Sequence, residues 1–374
     1  MTTRADDERF MARAIEISRR HTGLTETNPS VGCVLVKDGQ IIAEAVTSIG
    51  GRPHAERNAL DIAGEAAKGA TAYVTLEPCS HWGRTPPCAN ALVEFGIARA
   101  VVSVDDPDER VAGRGYQILR DAGISVDTGI LRQESERALA GYLTRKIKKR
   151  PHVTLKLAVS ADGMIGRKDE GQVAITGPEA RHAVHELRAR CDAILVGIGT
   201  ALSDDPELNV RISGMEHHSP VRFVLDRRLD LPLASKLVKT AHTVPTVAVV
   251  IPSAALPVNV AASDPEEIQP IDQKRVGLSG AGVEILEVTD LDDFLLTLGA
   301  REMSELLVEG GAVAARAFLG AGLVDRILLF ESPVIIGEDG IETPLKRADI
   351  PQDYYFIGET TYGADRCFDY ERPL

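Results

Sequence analysis

Cysteine is scarce, five in 374 residues, which is too few for the disulfide framework of a small secreted protein. A reducing compartment follows. Basic residues are outnumbered as well: 42 Lys and Arg against 55 Asp and Glu give a formal net charge of −13. A nucleic-acid or anionic-membrane partner calls for a basic face, so a small-molecule substrate is expected instead. No apolar run is long enough to cross a bilayer, because the most apolar stretch, 244–262, is broken by Pro245, Pro252 and Pro257. The first residues lack the apolar core of a signal peptide, and the expectation is a cytoplasmic protein. There is no internal repeat, so the two halves read as a fusion of unlike units. The apolar fraction of 44% allows ordinary cores, and the length suits two to three domains of roughly 150 residues.

Two of the cysteines sit in the stretch that organises the rest. It opens Pro53-His54-Ala55-Glu56, continues Glu77-Pro78-Cys79-Ser80-His81 and ends at Cys88, placing one imidazole, two thiols and one carboxylate within 35 residues. Catalytic zinc takes three protein ligands of nitrogen and sulfur and keeps one position for water. His54, Cys79 and Cys88 supply three, with no fourth Cys or His at conventional spacing. A structural zinc knuckle, or two unrelated buried thiols, is the competing reading; the missing fourth ligand favours catalysis. Zinc lowers the pKa of its water to about 7, and Glu56 is placed to move the proton. His-Ala-Glu followed by Pro-Cys resembles the zinc nucleobase deaminases, whose Glu shuttles protons and is no ligand. Their usual spacing has two residues between the cysteines, whereas here eight intervene, Ser80 to Pro87. A longer loop still closes on one ion, since the closure penalty grows slowly with length. Cys33, Cys191 and Cys367 are expected to pack as small hydrophobes.

Periodicity predicts a helix over 6–21, a hairpin of 31–36 with 41–45 about Lys-Asp-Gly-Gln, and a helix from His54 to Lys68. Strands are expected at 71–76, 100–104 and 124–126, with helices at 88–95, 115–122 and 133–145, a three-layer α/β pattern. The basic, Pro-terminated run Lys146–Pro151 marks a boundary, giving domains 1–149 and 150–374. In the second, strands are predicted at 153–159, 193–196, 221–225, 244–250, 306–309 and 327–330, and helices at 178–190 and 312–319. Residues 263–282 read as a surface loop. Gly310-Gly311 between strand and helix is a way of presenting backbone N–H groups to phosphate. Gly197-Ile198-Gly199 is no full dinucleotide fingerprint, because Leu202 stands where the third glycine belongs. On local grounds alone, tight strand–helix turns are the better explanation of these glycines.

Taken together, Asn28-Pro-Ser-Val-Gly32, His54-Ala-Glu56, Thr75-Leu-Glu-Pro-Cys-Ser-His81, Gly83-Arg-Thr-Pro-Pro-Cys88 and Asp106-Pro107 occur in one order. Ser160-Ala-Asp-Gly163, Asp192-Ala-Ile-Leu-Val-Gly197, Asp204-Asp-Pro206, Val224-Leu-Asp226 and Glu309-Gly-Gly311 follow. Over nearly its full length the chain resembles the bifunctional deaminase/reductases of bacterial riboflavin biosynthesis, and the long Cys–Cys insert is a mark of that family. The resemblance implies a cytidine-deaminase-like domain followed by a dihydrofolate-reductase-like one. The first would deaminate 2,5-diamino-6-ribosylamino-4(3H)-pyrimidinone 5′-phosphate with zinc, and the second would reduce ribosyl to ribityl with NADPH. It implies His54, Cys79 and Cys88 as zinc ligands and Glu56 as catalytic. Asn28, His81, Arg84 and Asp106 would hold the first substrate.

In the second domain the resemblance implies cofactor positions at Ala158, Thr200, Asp204, Asp226 and the run Gly311, Ala312, Val313, Ala314, Ala315, Arg316 and Ala317. Substrate positions are Lys156, Arg188, Leu208, Arg211 and Glu309. Arg188 and Arg211 suit a bidentate phosphate clamp, and a Lys156–Glu309 pair suits polarising the ribose C1. Pairing of two copies through the reductase domain is also implied. Departures stand at Val46-Thr47, Asp108, Gln172 and Ala174. Gln172 and Ala174 raise the alternative of a monofunctional deaminase with a degenerate second domain. A zinc-fold RNA-editing protein is a further alternative, opposed by the acidic balance.

Overall fold

The computed structural model describes residues 3–82, 86–168, 170–252 and 270–374, which divide into two compact units, Met1–Lys149 and Arg150–Pro373. In the first, α1 (Arg4–Ser18) opens on a capping box between Thr3 and Asp6. β1 (Gly32–Lys37) and β2 (Gln40–Val46) form the hairpin, with Asp38 and Gly39 both at positive φ as a two-residue turn requires. There follow α2 (Ala55–Ala63), β3 (Thr71–Leu76), α3 (Cys88–Glu94), β4 (Arg99–Val104), α4 (Arg114–Asp121), β5 (Ser125–Thr128), α5 (Arg132–Ala138) and α6 (Ala140–Lys148). The strands run β2-β1-β3-β4-β5, antiparallel at β2–β1–β3 and parallel at β3–β4–β5.

The central strands are buried on both faces. Val34, Val36, Tyr73 and Val101 meet Phe10, Met11, Ala14 and Ile17 of α1. Cys33, Leu35, Ala72 and Val74 meet Ala55, Ala59 and Leu60 of α2 and Ala89 and Leu92 of α3. Alternation on β1 and β3 therefore makes three layers. The single helix predicted over 133–145 is two, because the chain bends at Leu139 (φ −108°). The bend turns Leu139 and Leu143 into the α2 side while Ala138 packs on the α1 side.

The second unit runs β6 (His152–Val159), β7 (Met164–Arg167), α7 (Pro178–Arg188), β8 (Ala193–Gly197), α8 (Ile198–Asp204) and β9 (Val221–Leu225). α9 (Lys236–Lys239), β10 (Thr246–Val250), α10 (Ile271–Gly280), β11 (Glu284–Glu287), α11 (Leu291–Ala300), β12 (Glu305–Glu309) and α12 (Ala312–Gly320) come next. β13 (Arg326–Glu331), β14 (Gly340–Glu342), β15 (Tyr355–Tyr362) and β16 (Asp365–Glu371) complete it. Nine strands form one sheet, β11-β10-β9-β8-β12-β6-β13-β16-β15, parallel from β11 to β13 and antiparallel at β16 and β15. α11 and α12 bury Phe294, Leu298 and Phe318 on one face, and α8, α9 and α10 bury Ala201, Leu237 and Leu278 on the other.

Part of the predicted loop 263–282 lies outside the described residues, and 271–280 is helix α10, which corrects that expectation. Its one buried residue is Leu278, so it carries no apolar stripe for periodicity to find. α11, with Asp290 capping the Asp293 N–H at 2.8 Å, was not expected at all. Among the described residues no helix is long and apolar enough to cross a membrane.

Chain order explains where a crevice opens. From β8 the chain passes through α8 to β9 on one side, and from β12 it passes through α12 toward β13 on the other. Adjacent parallel strands whose connections leave in opposite directions create a gap at their carboxyl ends, where α/β proteins bind ligands.

Gly32 crosses α1 so closely that a Cβ there would collide with the Ala14 carbonyl oxygen. Gly32→Ala is expected to destabilise the first unit by about 1–3 kcal/mol, read as an earlier urea unfolding transition of the full chain. An unchanged midpoint would show that α1 is free to shift.

Candidate active sites

In the first unit three separate elements deliver donors to one point. β3 hands over to Glu77-Pro78-Cys79, α3 opens on Cys88, and His54 is the extended N-cap residue of α2 (φ −72°, ψ 162°). His54 Nδ1 lies 3.4 Å from Cys88 Sγ and 3.6 Å from Cys79 Sγ. The three ligand atoms all fall within 4.8 Å of one another, the one such His/Cys/acid group among the described residues. Tetrahedral zinc, with its nitrogen at ~2.0 Å and sulfur at ~2.3 Å, separates the two by about 3.5 Å. The donors stand at that spacing, so the residues present fit zinc. Among the described residues His54 Nε2 is buried without a hydrogen-bond partner, and Nδ1 is the nitrogen that meets the thiols.

The electrostatics favour a cation. Cys79 is pushed down toward the thiolate, first by the hydrogen bond from Cys88 and then by His54, against the cost of burial. Cys88, as the donor and itself buried, is pushed up. Glu56 is 3% exposed, and burial raises its carboxyl to about 7. Asn58 staples the approach to His54, donating to Val46 O at 3.0 Å and Ser48 Oγ at 2.9 Å. The departure at Val46-Thr47 is thereby absorbed into the scaffold: Val46 supplies that carbonyl and Thr47 Oγ1 accepts from Val31 N at 3.0 Å.

Around this trio, Asn28 is half-buried and packs against Gly51, where its Nδ2 occupies the space a Cβ would need. His81 is half-buried with Nδ1 unpartnered among the described residues. Arg84 lies outside the described residues. Asp106 is buried and accepts from Tyr142 Oη at 2.9 Å and Asp108 N at 2.9 Å, and burial raises its carboxyl. Asp108 is engaged by Arg110 at 2.7 Å and Lys146 at 2.9 Å. Glu77 is a residue to which the sequence reading assigned no role. Its carboxylate accepts from Gly113 N at 3.1 Å, Gly115 N at 3.0 Å and Asp106 N at 3.4 Å, tying the 106–115 loop beside Cys79. An acid placed between a buried strand and Pro-Cys was the available signal.

The crevice of the second unit holds a cavity of about 490 Å³, within the ~300–1,000 Å³ usual for small-molecule sites. Thr200, Asp204, Asp226, Gly311, Ala312, Val313, Ala314, Arg316 and Ala317 all line it. Gly310 and Gly311 have φ of +61° and +70°, and a Cβ on Gly311 would stand 2.6 Å from Thr200 Oγ1. Glycine is required there on both counts. This close backbone approach at the start of α12 fits a dinucleotide phosphate. Two expected residues lie elsewhere: Ala315 is fully buried in the core, and Ala158 is on β6 in register with Phe330. Ala315 turns into the core, whereas Ala158 shares the face of β6 that carries Lys156. Asp226 needs a finer correction, since its oxygens accept from Asp230 N and Leu231 N, both at 2.8 Å.

The substrate-side residues gather beyond β12. Lys156 and Glu309 are register partners on β6 and β12, yet Glu309 pairs with Arg188. Arg188 Nε and Nη2 meet the two carboxylate oxygens at 2.6 and 2.9 Å, and Nη1 donates to Asn209 O at 3.2 Å. This corrects two expectations. Arg188 is no free phosphate clamp, and Lys156 does not hold Glu309 by itself. A buried carboxylate takes the partner offering two parallel N–H bonds. Lys156 is pushed down by burial in spite of Glu309, and its Nζ lies 5.6 Å from the Phe330 ring centroid. Arg211 is exposed and 3.2 Å from Glu207, while its backbone N–H donates to His185 Nδ1 at 3.3 Å. Leu208 is buried with φ +50°. His185 went unread in the sequence, although its place one turn before Arg188 on α7 put both on one face. Gln172 and Ala174 are exposed on the segment before α7.

Residues 4–104 match the cytidine and deoxycytidylate deaminase zinc-binding region, and residues 151–367 match the RibD C-terminal domain. The riboflavin biosynthesis protein RibD of Aquifex aeolicus is 39% identical over 332 residues, 89% of this chain and 88% of its own. That of Escherichia coli is 38% identical over 382 residues, 96% and 98% of the two chains. Among solved structures, Acinetobacter baumannii RibD superposes with a TM-score of 0.82 at 34% identity, covering 100% of both chains. A diaminohydroxyphosphoribosylaminopyrimidine deaminase/5-amino-6-(5-phosphoribosylamino)uracil reductase from Thermotoga maritima does so at 0.80 and 31%, covering 99% of both. With a zinc-fitting trio in one unit, a switch-point cavity in the other and relatives matched along their whole length, the chain belongs to the RibD family of riboflavin biosynthesis.

Proposed function

We propose that the chain carries out two successive steps of riboflavin biosynthesis. Residues 1–149 deaminate 2,5-diamino-6-ribosylamino-4(3H)-pyrimidinone 5′-phosphate, and residues 150–374 reduce the ribosyl group of the product to ribityl with NADPH. The observation that carries this reading is the buried Glu56 carboxyl on the first turn of α2, two residues after His54 of a His–Cys–Cys trio at zinc spacing. His54 Nδ1, Cys79 Sγ and Cys88 Sγ are the ligand atoms. Zinc, when bound, supplies the Lewis acid that makes water nucleophilic near neutral pH. Glu56 takes the proton of the attacking water on its carboxylate and delivers it to the leaving amine. Its burial keeps bulk water from competing for that proton. Asn28, His81, Arg84 and Asp106 orient the pyrimidine, ribose and phosphate.

In the second unit, NADPH, when bound, supplies the hydride. Thr200, Asp204 and the start of α12 from Gly311 to Ala314, with Arg316 and Ala317, hold it in the crevice. Lys156, its ammonium pushed down by burial, yields a proton readily beside the sugar. Glu309 is fixed by Arg188 and takes a ribose hydroxyl, while His185 and Arg211 receive the phosphate. Two copies pair through this unit, a reading supported by the exposed Tyr355 and Phe356 on β15, the last strand of the sheet. The cytoplasm is the setting, in keeping with five free thiols.

Glu56→Gln is expected to lower deamination by about 10²–10⁴-fold while zinc content, measured by metal analysis, stays at the wild-type level. Full activity in that variant would end the assigned role. Lys156→Met should slow NADPH oxidation on supplied deaminated substrate by a similar factor and leave ammonia release untouched. If the wild type consumed no NADPH on that substrate, the reductase assignment would fail.

A further inference from the structure

We infer that Tyr142 is a positioning residue of the deaminase site, its hydroxyl aiming the Asp106 carboxylate at the substrate. This deepens the reading above and rests on Asp106 being a substrate contact. β3 and β4 are parallel neighbours, with Leu76 in register with Val104. Their carboxyl ends run side by side into Glu77-Pro78-Cys79 and Asp105-Asp106. The second turn is bound to the first. Glu77 N donates to Val104 O at 2.9 Å, Asp106 N to Glu77 Oε2 at 3.4 Å, and Ser80 Oγ to Arg110 O at 3.0 Å. Asp106 thus stands two residues past its strand, on the rim that also carries Cys79.

The side chain that reaches Asp106 comes from α6. Tyr142 Oη donates to Oδ1 at 2.9 Å and lies 3.2 Å from Oδ2, while Asp108 N donates to Oδ1 at 2.9 Å. Among the described residues, every hydrogen-bond donor to this carboxylate is neutral. An arginine in that place would orient the carboxylate and cancel its charge; a phenol orients it and leaves the charge for a substrate donor. Oδ2, with the longer Tyr142 contact alone, keeps acceptor capacity for an N–H of the pyrimidine or an O–H of its ribose. The neighbouring acid is neutralised from the same helix face. Lys146, one turn after Tyr142, meets Asp108 at 2.9 Å, and Arg110 meets it at 2.7 Å. The Tyr142 ring packs on the α2-side core, so α6 fixes where its hydroxyl points, and burial pushes that hydroxyl up, keeping it a donor. Arg145 of α6 donates to Thr27 O at 2.6 Å, beside Asn28. One helix braces both substrate-side loops.

The test measures ammonia release from 2,5-diamino-6-ribosylamino-4(3H)-pyrimidinone 5′-phosphate by the zinc-loaded full chain. It compares the wild type with Tyr142→Phe, Asp106→Ala and the double variant. Phenylalanine keeps the ring and its packing and removes the hydroxyl alone. Tyr142→Phe is expected to raise KM by about three- to thirtyfold and to hold kcat near the wild-type value. Zinc content, and NADPH oxidation on supplied deaminated substrate, should not change. Asp106→Ala should raise KM further, and adding Tyr142→Phe to it should cost nothing more. An unchanged KM in Tyr142→Phe would overturn the proposal, whether or not that variant unfolds earlier in urea. So would a KM rise of the same factor with and without Asp106, or a loss of kcat together with zinc. A wild-type KM in Asp106→Ala would remove Asp106 from the substrate, and the proposal with it, while the zinc ligands and Glu56 kept their roles. Where Asp106→Ala does not fold, the KM-against-kcat split of Tyr142→Phe decides alone.

Discussion

Everything in the first unit depends on bringing one imidazole and two thiols, from three different elements, within bonding distance of a single point. Unassisted, that assembly is unfavourable: a buried thiolate costs several kcal/mol in desolvation, and three side chains lose their rotamer freedom. The fold lowers the cost in stages. Two helices open at the same place, so His54 and Cys88 meet backbone amides and the positive ends of their dipoles. The Cys88 hydrogen bond favours the thiolate form of Cys79. Glu77 and Asn58, neither of them a ligand, fix the loops on the two sides. A preorganised donor set of this kind binds its ion without first having to fold around it.

The second unit meets a different constraint, which is topological. A gap between β8 and β12 exists because their connections diverge, and nothing in side-chain packing needs it. What the residues add is its finish. Paired positive-φ glycines let the chain pass within contact distance of Thr200, and the Arg188–Glu309 pair closes the sugar end. That pair is buried and bidentate, so its value is geometric as much as energetic: removing either partner would strand the other's charge.

The zinc site was legible because its chemistry is local. His54 and Glu56 are two residues apart, and Cys79 and Cys88 bound one loop, so residue type and spacing carried the information. Strands β3 and β9 were also read to the residue, since continuous apolar runs between turn signals admit few alternatives. Failures cluster where tertiary contacts decide. Arg188 and Glu309 are 121 positions apart, and nothing nearby says that they meet each other before either meets a phosphate. Glu77, Tyr142 and His185 act on backbone or on other side chains, so no motif marks their roles. α10 escaped because a helix with one buried residue carries no stripe, and the split at Leu139 because both helices share one apolar rhythm.

A charge argument links the two sites. The chain carries a formal −13, yet the molecules it is proposed to bind are phosphorylated anions. Long-range attraction therefore cannot bring them in, and at physiological ionic strength it would fade beyond ~8 Å in any case. Recognition has to come from cations within contact range whose neighbouring acids are already committed. That condition recurs at each corner: Asp108 is engaged by Arg110 and Lys146, Glu309 by Arg188, and Asp230 by Arg228 and Lys274. An acidic surface keeps such a protein apart from nucleic acid while each crevice keeps its own local sign.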